Sequence, residues 1–490
     1  MSAASPSPSR GPSGRVDLER GLPMFRAGDP EALAREKADL VALAAGPVLP
    51  RWFGYARRTG PGWLQSAMTL GGGSAAASLT IGALFGYDLL WVQPVAMLLG
   101  IMMLSAMSYQ TLSTGARPFG AMNRFVSPLV GWAWALATLV ATLIWHFPQY
   151  ALAAGMTEDM IKAGTGWEAA GAGKTALLLG IGLVILTIST VMTWNYGSGW
   201  KGIRLYERAL KLMVWIIILS FAVVIARAAM AGKIPWGRML KGFLPLYLPT
   251  DPRGVGTVMG AFGAAVGINM TFLYGYSLLA RGWGKEHRGL ARFDLMTGML
   301  IPFVLTVSLM TMAAACTIYD PVHPVQGGIK PVQAAQMIAS SGVGETVGHF
   351  VFGLGILGMV LSSITTHMIV AGFAACEILR IPPQGWKYKL ACMIPAVGML
   401  GVILWETMGF WVAVWTSGIC GMMLPIAYIA FFVLQNRRAY LGADTPTGGR
   451  RWAWNLGMGL AVLATLASLV YFLQGKFIDD VRVFFERLAG

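Results

Sequence analysis

The sequence predicts an all-α polytopic membrane protein of about eleven spans, built as two inverted repeats of five helices plus one extra helix. Three observations predict it. Of 490 residues, 56% are hydrophobic and only 12% are charged, about half the charged share of an ordinary soluble domain. Uncharged stretches longer than the ~18 residues needed to cross a bilayer follow one another along the chain. The first and the sixth of these stretches are interrupted by glycine, and interrupted helices at matching positions of two halves mark an inverted-repeat transporter.

Residues 1–58 precede the spans and form a partly disordered tail. MSAASPSPSRGPSGR is rich in Ser, Pro and Arg, carries no secretory signal and reads as disordered. Residues 30–45 have the pattern of one amphipathic helix, either lying on the membrane surface or leading into the first span. The spans fall near 61–84, 88–113, 127–155, 174–194, 209–231, 255–280, 294–318, 347–376, 388–405, 409–435 and 453–474. Each must be helical, because hydrocarbon offers no water to satisfy an open backbone. Residues 59–436 form the transporter core, with repeats at about 59–231 and 255–436; residues 437–490 supply a loop, the last span and a short tail.

The net charge of +15 does not indicate nucleic-acid binding, because the basic residues sit in short loops between apolar spans. With the N-terminus inside the cell membrane, the even-numbered loops are the basic ones: Arg117 and Arg124; Lys201, Arg204 and Arg208; Arg281, Lys285, Arg288 and Arg292; Arg380, Lys387 and Lys389; Arg437, Arg438, Arg450 and Arg451. Loops one and nine carry no Lys or Arg, while loop five resists the pattern with Lys233, Arg238, Lys241 and Arg253. The balance places the N-terminus in the cytoplasm and, with an odd number of spans, the C-terminus outside. Cys316, Cys376, Cys392 and Cys420 form no CxxC pair and read as small packing residues. Without HExxH, GxSxG or paired intramembrane acids the chain is not an enzyme, and no cofactor is expected.

The interruption in span 1 is Gly71-Gly72-Gly73-Ser74. In span 6 it is Gly256, Gly260, Gly263 and Gly267, followed by Ile268-Asn269-Met270-Thr271. Glycine disfavours a continuous helix by ~1 kcal/mol per residue. Spaced glycines also serve close helix packing, but a consecutive triplet predicts an unwound segment.

The stretch GPGWLQSAMTLGGGSAAASLTIGALFGYDLLWV, residues 60–92, resembles the first-helix region of the Nramp family of divalent metal transporters. Leu361-Ser362-Ser363-Ile364-Thr365 in span 8 and Leu424-Pro425 in span 10 also resemble their counterparts, over roughly residues 55–440 in all. The resemblance implies a LeuT-type fold and secondary-active transport by alternating access. It also exposes departures. The family's Asp-Pro-Gly-Asn metal ligands fall on Gly71 to Ser74, with Asp on Gly71 and Asn on Ser74. The Met of its Met-Pro-His falls on Asn269, or on Met270 after a slip of one residue, and the His on Thr271. Two acids linked to proton movement fall on Leu143 and His146, and a glutamine of the tenth helix falls near Ser417.

The expected substrate site is therefore Thr69, Gly71, Gly72, Gly73, Ser74, Asn269, Thr271 and Ser417, with His146 and Tyr276 on a proton or gating path and no assigned metal ligand. His367 is a second intramembrane ionisable residue. Trp145 and the 29 methionines read as packing or interface residues. Hard dications want about six oxygens, often carboxylates, and this site offers none. The expected cargo is the family's divalent cation with transition-metal selectivity altered or lost. A small amino-acid- or amine-like solute held by the glycine break, and a membrane sensor without transport, stay open beside it. The partners are this small solute or ion and the lipid bilayer; oligomeric state is open, a monomer included.

Overall fold

The computed structural model describes residues 19–22, 30–323, 329–403 and 411–476. The expected disorder of the first residues and most of loop nine lie outside them. Among the described residues eleven helical spans are long and apolar enough to cross a membrane when the bent first pair is counted as one. Span 1 is Pro61–Thr69 plus Gly72–Phe85, bent by 55°. Spans 2 to 5 are Val92–Thr114, Pro128–Thr165, Gly171–Tyr196 and Trp200–Met230. Span 6 is Pro252–Ala265 plus Ile268–Ala280. Span 7 runs from Arg288–Leu295 through a π-helical turn, Met296–Leu300, into Ile301–Thr317. Span 8 is Phe352–Leu379, and span 9 joins Gly385–Ala391 to a 3-10 segment, Ile394–Leu400. Spans 10 and 11 are Trp411–Gln435 and Gly448–Tyr471.

Hydropathy places the apolar part of each span but not its ends. Span 3 has 38 residues and reaches Thr165, beyond the expected 155. Span 5 has 31 and begins at Trp200 rather than 209. Both continue as helix through polar sequence, TEDMIKAGT in one and WKGIRLYERALK in the other. At 1.5 Å per residue span 3 is about 57 Å long, well beyond the ~30 Å of hydrocarbon.

The apolar stretches of spans 4 and 11 are only 17% buried, whereas those of spans 2 and 7 are 72% and 67% buried. Spans 4 and 11 therefore form the lipid-facing periphery. Span 8 packs along span 3 and span 5; the first half of span 1 packs on spans 5, 7 and 8, and its second half mainly on spans 7 and 6.

Loop contacts sort into two faces. Asp88 of loop one pairs with Arg238 of loop five at 3.2 Å, and Trp91 Nε1 donates to the Tyr247 carbonyl at 3.3 Å. Loop five's charge is thus partly balanced by loop one on the same side. On the other face Asp444 of loop ten bonds Lys285 at 2.7 Å and Arg288 at 2.9 Å, and Lys285 above all holds its carboxyl below the usual range. Arg117 of loop two pairs with Glu377, at the end of span 8, at 3.3 Å.

At this second face a cluster of four charges seats the start of span 1. Pro61 at the first helical position removes one orphan donor. The N–H groups of Gly60 and Gly62 donate to the Asp294 carboxylate at 3.1 and 2.7 Å. Lys211 Nζ donates to the Thr59 carbonyl at 2.6 Å and to its hydroxyl at 2.9 Å. Beside them Arg281 pairs with Glu207 at 3.3 Å, each side chain only 5% exposed. A Cβ at Gly62 would run into the Asp294 main chain, and one at Gly60 into the Glu207 carboxylate.

Replacing Asp294 by Ala would leave the buried N–H groups of Gly60 and Gly62 without their acceptor. Each buried donor left unsatisfied costs about 1–3 kcal/mol. The expected outcome is a large fall in the thermal midpoint of the detergent-solubilised protein, or loss of its monodisperse peak in size exclusion, with Asp294→Asn intermediate. An unchanged midpoint in Asp294→Ala would remove this cluster from the account of stability.

Candidate functional site

The chain leaves helical geometry at Leu70 (φ −77°, ψ 75°) and Gly71 (φ −134°, ψ −168°), and the helix resumes at Gly72. The break is shorter than the glycine triplet predicts, because one hydroxyl closes it. Ser74 Oγ accepts from the Gly71 N–H at 3.1 Å and donates to the Thr69 carbonyl at 2.7 Å, joining both sides of the gap. Gly72 and Gly73 belong to the first turn of the second half-helix. Their lack of a side chain serves approach by span 3. A Cβ at Gly73 would lie 2.9 Å from Trp145 Cζ3, and one at Gly72 would lie 2.5 Å from Leu152 Cδ1. Real Cβ atoms do not come so close.

Span 6 breaks at Val266 (φ −140°, ψ 119°) and Gly267 (φ −93°, ψ 162°). Thr69 Oγ1 donates to the Ala265 carbonyl at 2.7 Å, so the two breaks are tied to each other. Span 8 adds a second cap. Ser363 Oγ lies 3.1, 3.2 and 3.3 Å from the carbonyls of Ala67, Met68 and Leu70, and Ser362 Oγ lies 3.1 Å from Ala67. From span 3, the Gln149 side-chain oxygen accepts the Gly72 N–H at 3.0 Å. In span 6, the Asn269 side-chain oxygen accepts the Met270 N–H at 3.0 Å.

Between the breaks lies a cavity of about 30 Å³. Span 1 lines it with Met68, Thr69, Gly71, Gly73 and Ser74; span 6 with Gly263, Ala264, Gly267, Asn269 and Met270. Trp145 and Gln149 of span 3 and His367 of span 8 complete it. No carboxylate lines it, and among the described residues no three His, Cys, Asp or Glu side chains come together to hold a metal ion.

Of the expected residues, Thr69, Gly71, Gly73, Ser74 and Asn269 line this cavity, and Gly72 touches it through Gln149. Both register alternatives, Asn269 and Met270, face it. Thr271 does not: its hydroxyl accepts from Trp134 Nε1 at 2.9 Å, in the packing between spans 3 and 6. Tyr276 stacks on Phe272 with ring centroids 4.6 Å apart, away from the cavity and beside Glu377. His146 is wholly buried behind the lining, its ring 5.7 Å from that of His367. Ser417 belongs to span 10, but its side chain lies outside the described residues.

Trp145 and Met68, read from sequence as packing or interface residues, line the cavity instead. Gln149 carried no expectation. A signal for the span 3 residues exists: Trp145, Gln149 and Leu152 fall at i, i+4 and i+7, one helix face. That face has the bulk to fill what three glycines leave empty.

Residues 62–473 match the family model described as Natural resistance-associated macrophage protein-like, Nramp. The chain belongs to the Nramp family. Members of this family are transporters, not enzymes. The Brucella suis divalent metal cation transporter MntH is 22% identical over 399 residues, covering 78% of this chain and 81% of that protein. The Eremococcus coleocola manganese transporter, solved with an aromatic bis-isothiourea compound, superposes with a TM-score of 0.68 at 13% identity, covering 91% of this chain and 95% of that one. MhsT in complex with L-phenylalanine superposes at 0.55, with 17% identity, covering 84% and 98%. The fold is the LeuT type of two inverted five-helix repeats, with span 11 added.

If glycine at 73 serves close approach, Gly73→Ala overpacks the Trp145 ring, at about 1–3 kcal/mol. The expected outcome is a lower thermal midpoint that Trp145→Phe partly restores. A midpoint lowered equally whatever stands at 145 would assign Gly73 to chain flexibility instead.

Proposed function

We propose that this Nramp-family chain is a secondary-active transporter working by alternating access, that its substrate site is the cavity between the two helix breaks, and that this site has lost selectivity for transition-metal dications. Family membership and the LeuT-type fold support the first part. The curated relatives' names carry metal transport, so a divalent cation is the inherited cargo class.

One observation carries the change in selectivity: the cavity is polar but holds no carboxylate. Gly71 and Ser74 stand where the family's Asp and Asn are expected. A manganese- or iron-like ion stripped of water would sit there without opposite charge, at a penalty of several kcal/mol. The second observation is size. A water needs about 10–15 Å³ of such volume, so about 30 Å³ takes an ion-sized solute. That favours an ion over an amino-acid-sized organic solute.

Flux into proteoliposomes tests this reading. The expected outcome is no saturable manganese uptake in the micromolar range. Manganese uptake that saturates there would overturn the loss of selectivity.

The topology belongs to the same proposal, with the N-terminus and even-numbered loops cytoplasmic and the C-terminus outside. The expected outcome for Lys233→Cys is labelling by an impermeant maleimide on intact cells, whereas Lys387→Cys is labelled only after permeabilisation. The reverse pattern would invert the chain in the membrane.

A further inference from the structure

We propose that the cavity is a binding site for a small monovalent anion. The inference rests on the transporter reading above and replaces the inherited cation with a cargo of opposite sign.

Two buried amides carry it. Gln149 is 2% exposed and Asn269 3%. Each commits its side-chain oxygen to a main-chain N–H at 3.0 Å, Gln149 to Gly72 and Asn269 to Met270. A backbone N–H can be faced only by the oxygen of an amide, so these two bonds fix which way each amide points. The Gln149 Nε2 and Asn269 Nδ2 groups are left with four N–H donors between them. Among the described residues neither nitrogen has an acceptor, and both residues line the cavity.

Several of the acceptors a cation would use are already engaged. Ser74 Oγ donates to the Thr69 carbonyl, Thr69 Oγ1 to the Ala265 carbonyl, and Ser363 Oγ sits against three carbonyls at the end of the first half of span 1. These are among the main-chain oxygens that the helix breaks release.

The half-helices add donors of their own. The second halves of spans 1 and 6 begin at Gly72 and Ile268, beside the cavity. Beyond the Gly72 and Met270 N–H groups that the two amides hold, their opening N–H groups have no acceptor within the helix, and helix N-termini carry partial positive charge. Anions bind at such termini without a full positive charge. A hydrated cation is the wrong guest here, because its waters point hydrogens outward and would meet N–H donors. The volume of about 30 Å³ suits chloride or a one-carbon carboxylate. Both accept N–H bonds and carry one negative charge.

The test uses the full-length protein. Its thermal midpoint is measured in chloride, formate and gluconate at equal ionic strength, and uptake of radiolabelled chloride and formate is measured in proteoliposomes. The expected result is a concentration-dependent rise of the midpoint in chloride or formate over gluconate, with saturable uptake of the same anion. The two arms separate a halide site from a carboxylate site. Gln149→Glu and Asn269→Asp keep the oxygen that holds the main-chain N–H but replace the inward NH2 with negative charge. Each is expected to lower anion uptake roughly tenfold or more, the scale of one hydrogen bond to a charged ligand.

No anion-specific midpoint shift in wild-type protein overturns the proposal, even if neither variant folds. So does unchanged anion uptake in a folded Gln149→Glu. Magnesium uptake without anion uptake also overturns it but leaves the transporter reading standing. Micromolar manganese uptake overturns it together with the loss of transition-metal selectivity, and again leaves the transporter reading standing. An anion-specific midpoint shift with no flux of any ion supports the site and removes the transporter reading.

Discussion

Everything at the centre of this molecule depends on one constraint: a helix opened inside a bilayer releases main-chain groups that must find partners within the protein. Two spans open here, at Leu70–Gly71 and at Val266–Gly267. Hydroxyls absorb part of what is released. Ser74 bridges its own break, Thr69 reaches from one break to the other, and Ser363 comes in from span 8. The protein thus buries two broken helices without recruiting an acid or a base. The character of the cavity follows, since groups that close a carbonyl to water close it to a metal ion as well.

That constraint also separates what was legible in the sequence from what was not. Spans are legible because hydrocarbon demands long uncharged stretches, and the two broken ones because glycine is costly in a helix. The ends of spans 3 and 5 were not, since a helix can outrun the membrane once its apolar part is anchored. Gly71 to Gly73 were read as three unwound residues, yet only Gly71 lies in the break. A sequence shows that side chains are missing but not which neighbour moves into the space, and here Trp145 and Leu152 of span 3 do so.

The site residues divide in the same way. Thr69, Gly71, Ser74 and Asn269 are legible because they sit at the breaks themselves. Thr271 lies only two residues beyond Asn269, but the helix turn directs it to Trp134. Gln149 is distant in sequence and reaches the site only through tertiary approach. The orientation of its amide depends on a main-chain N–H of another span, and no pattern in one chain encodes that.

The cluster beneath span 1 has a further consequence for any motion between the repeats. Glu207 and Lys211 belong to span 5, in the first repeat; Arg281 and Asp294 follow span 6 and enter span 7, in the second. Each half of the molecule therefore brings one acid and one base to the joint. When the halves part, each withdraws an electrically neutral couple, and neither surface is left bearing an unbalanced charge at the edge of the lipid.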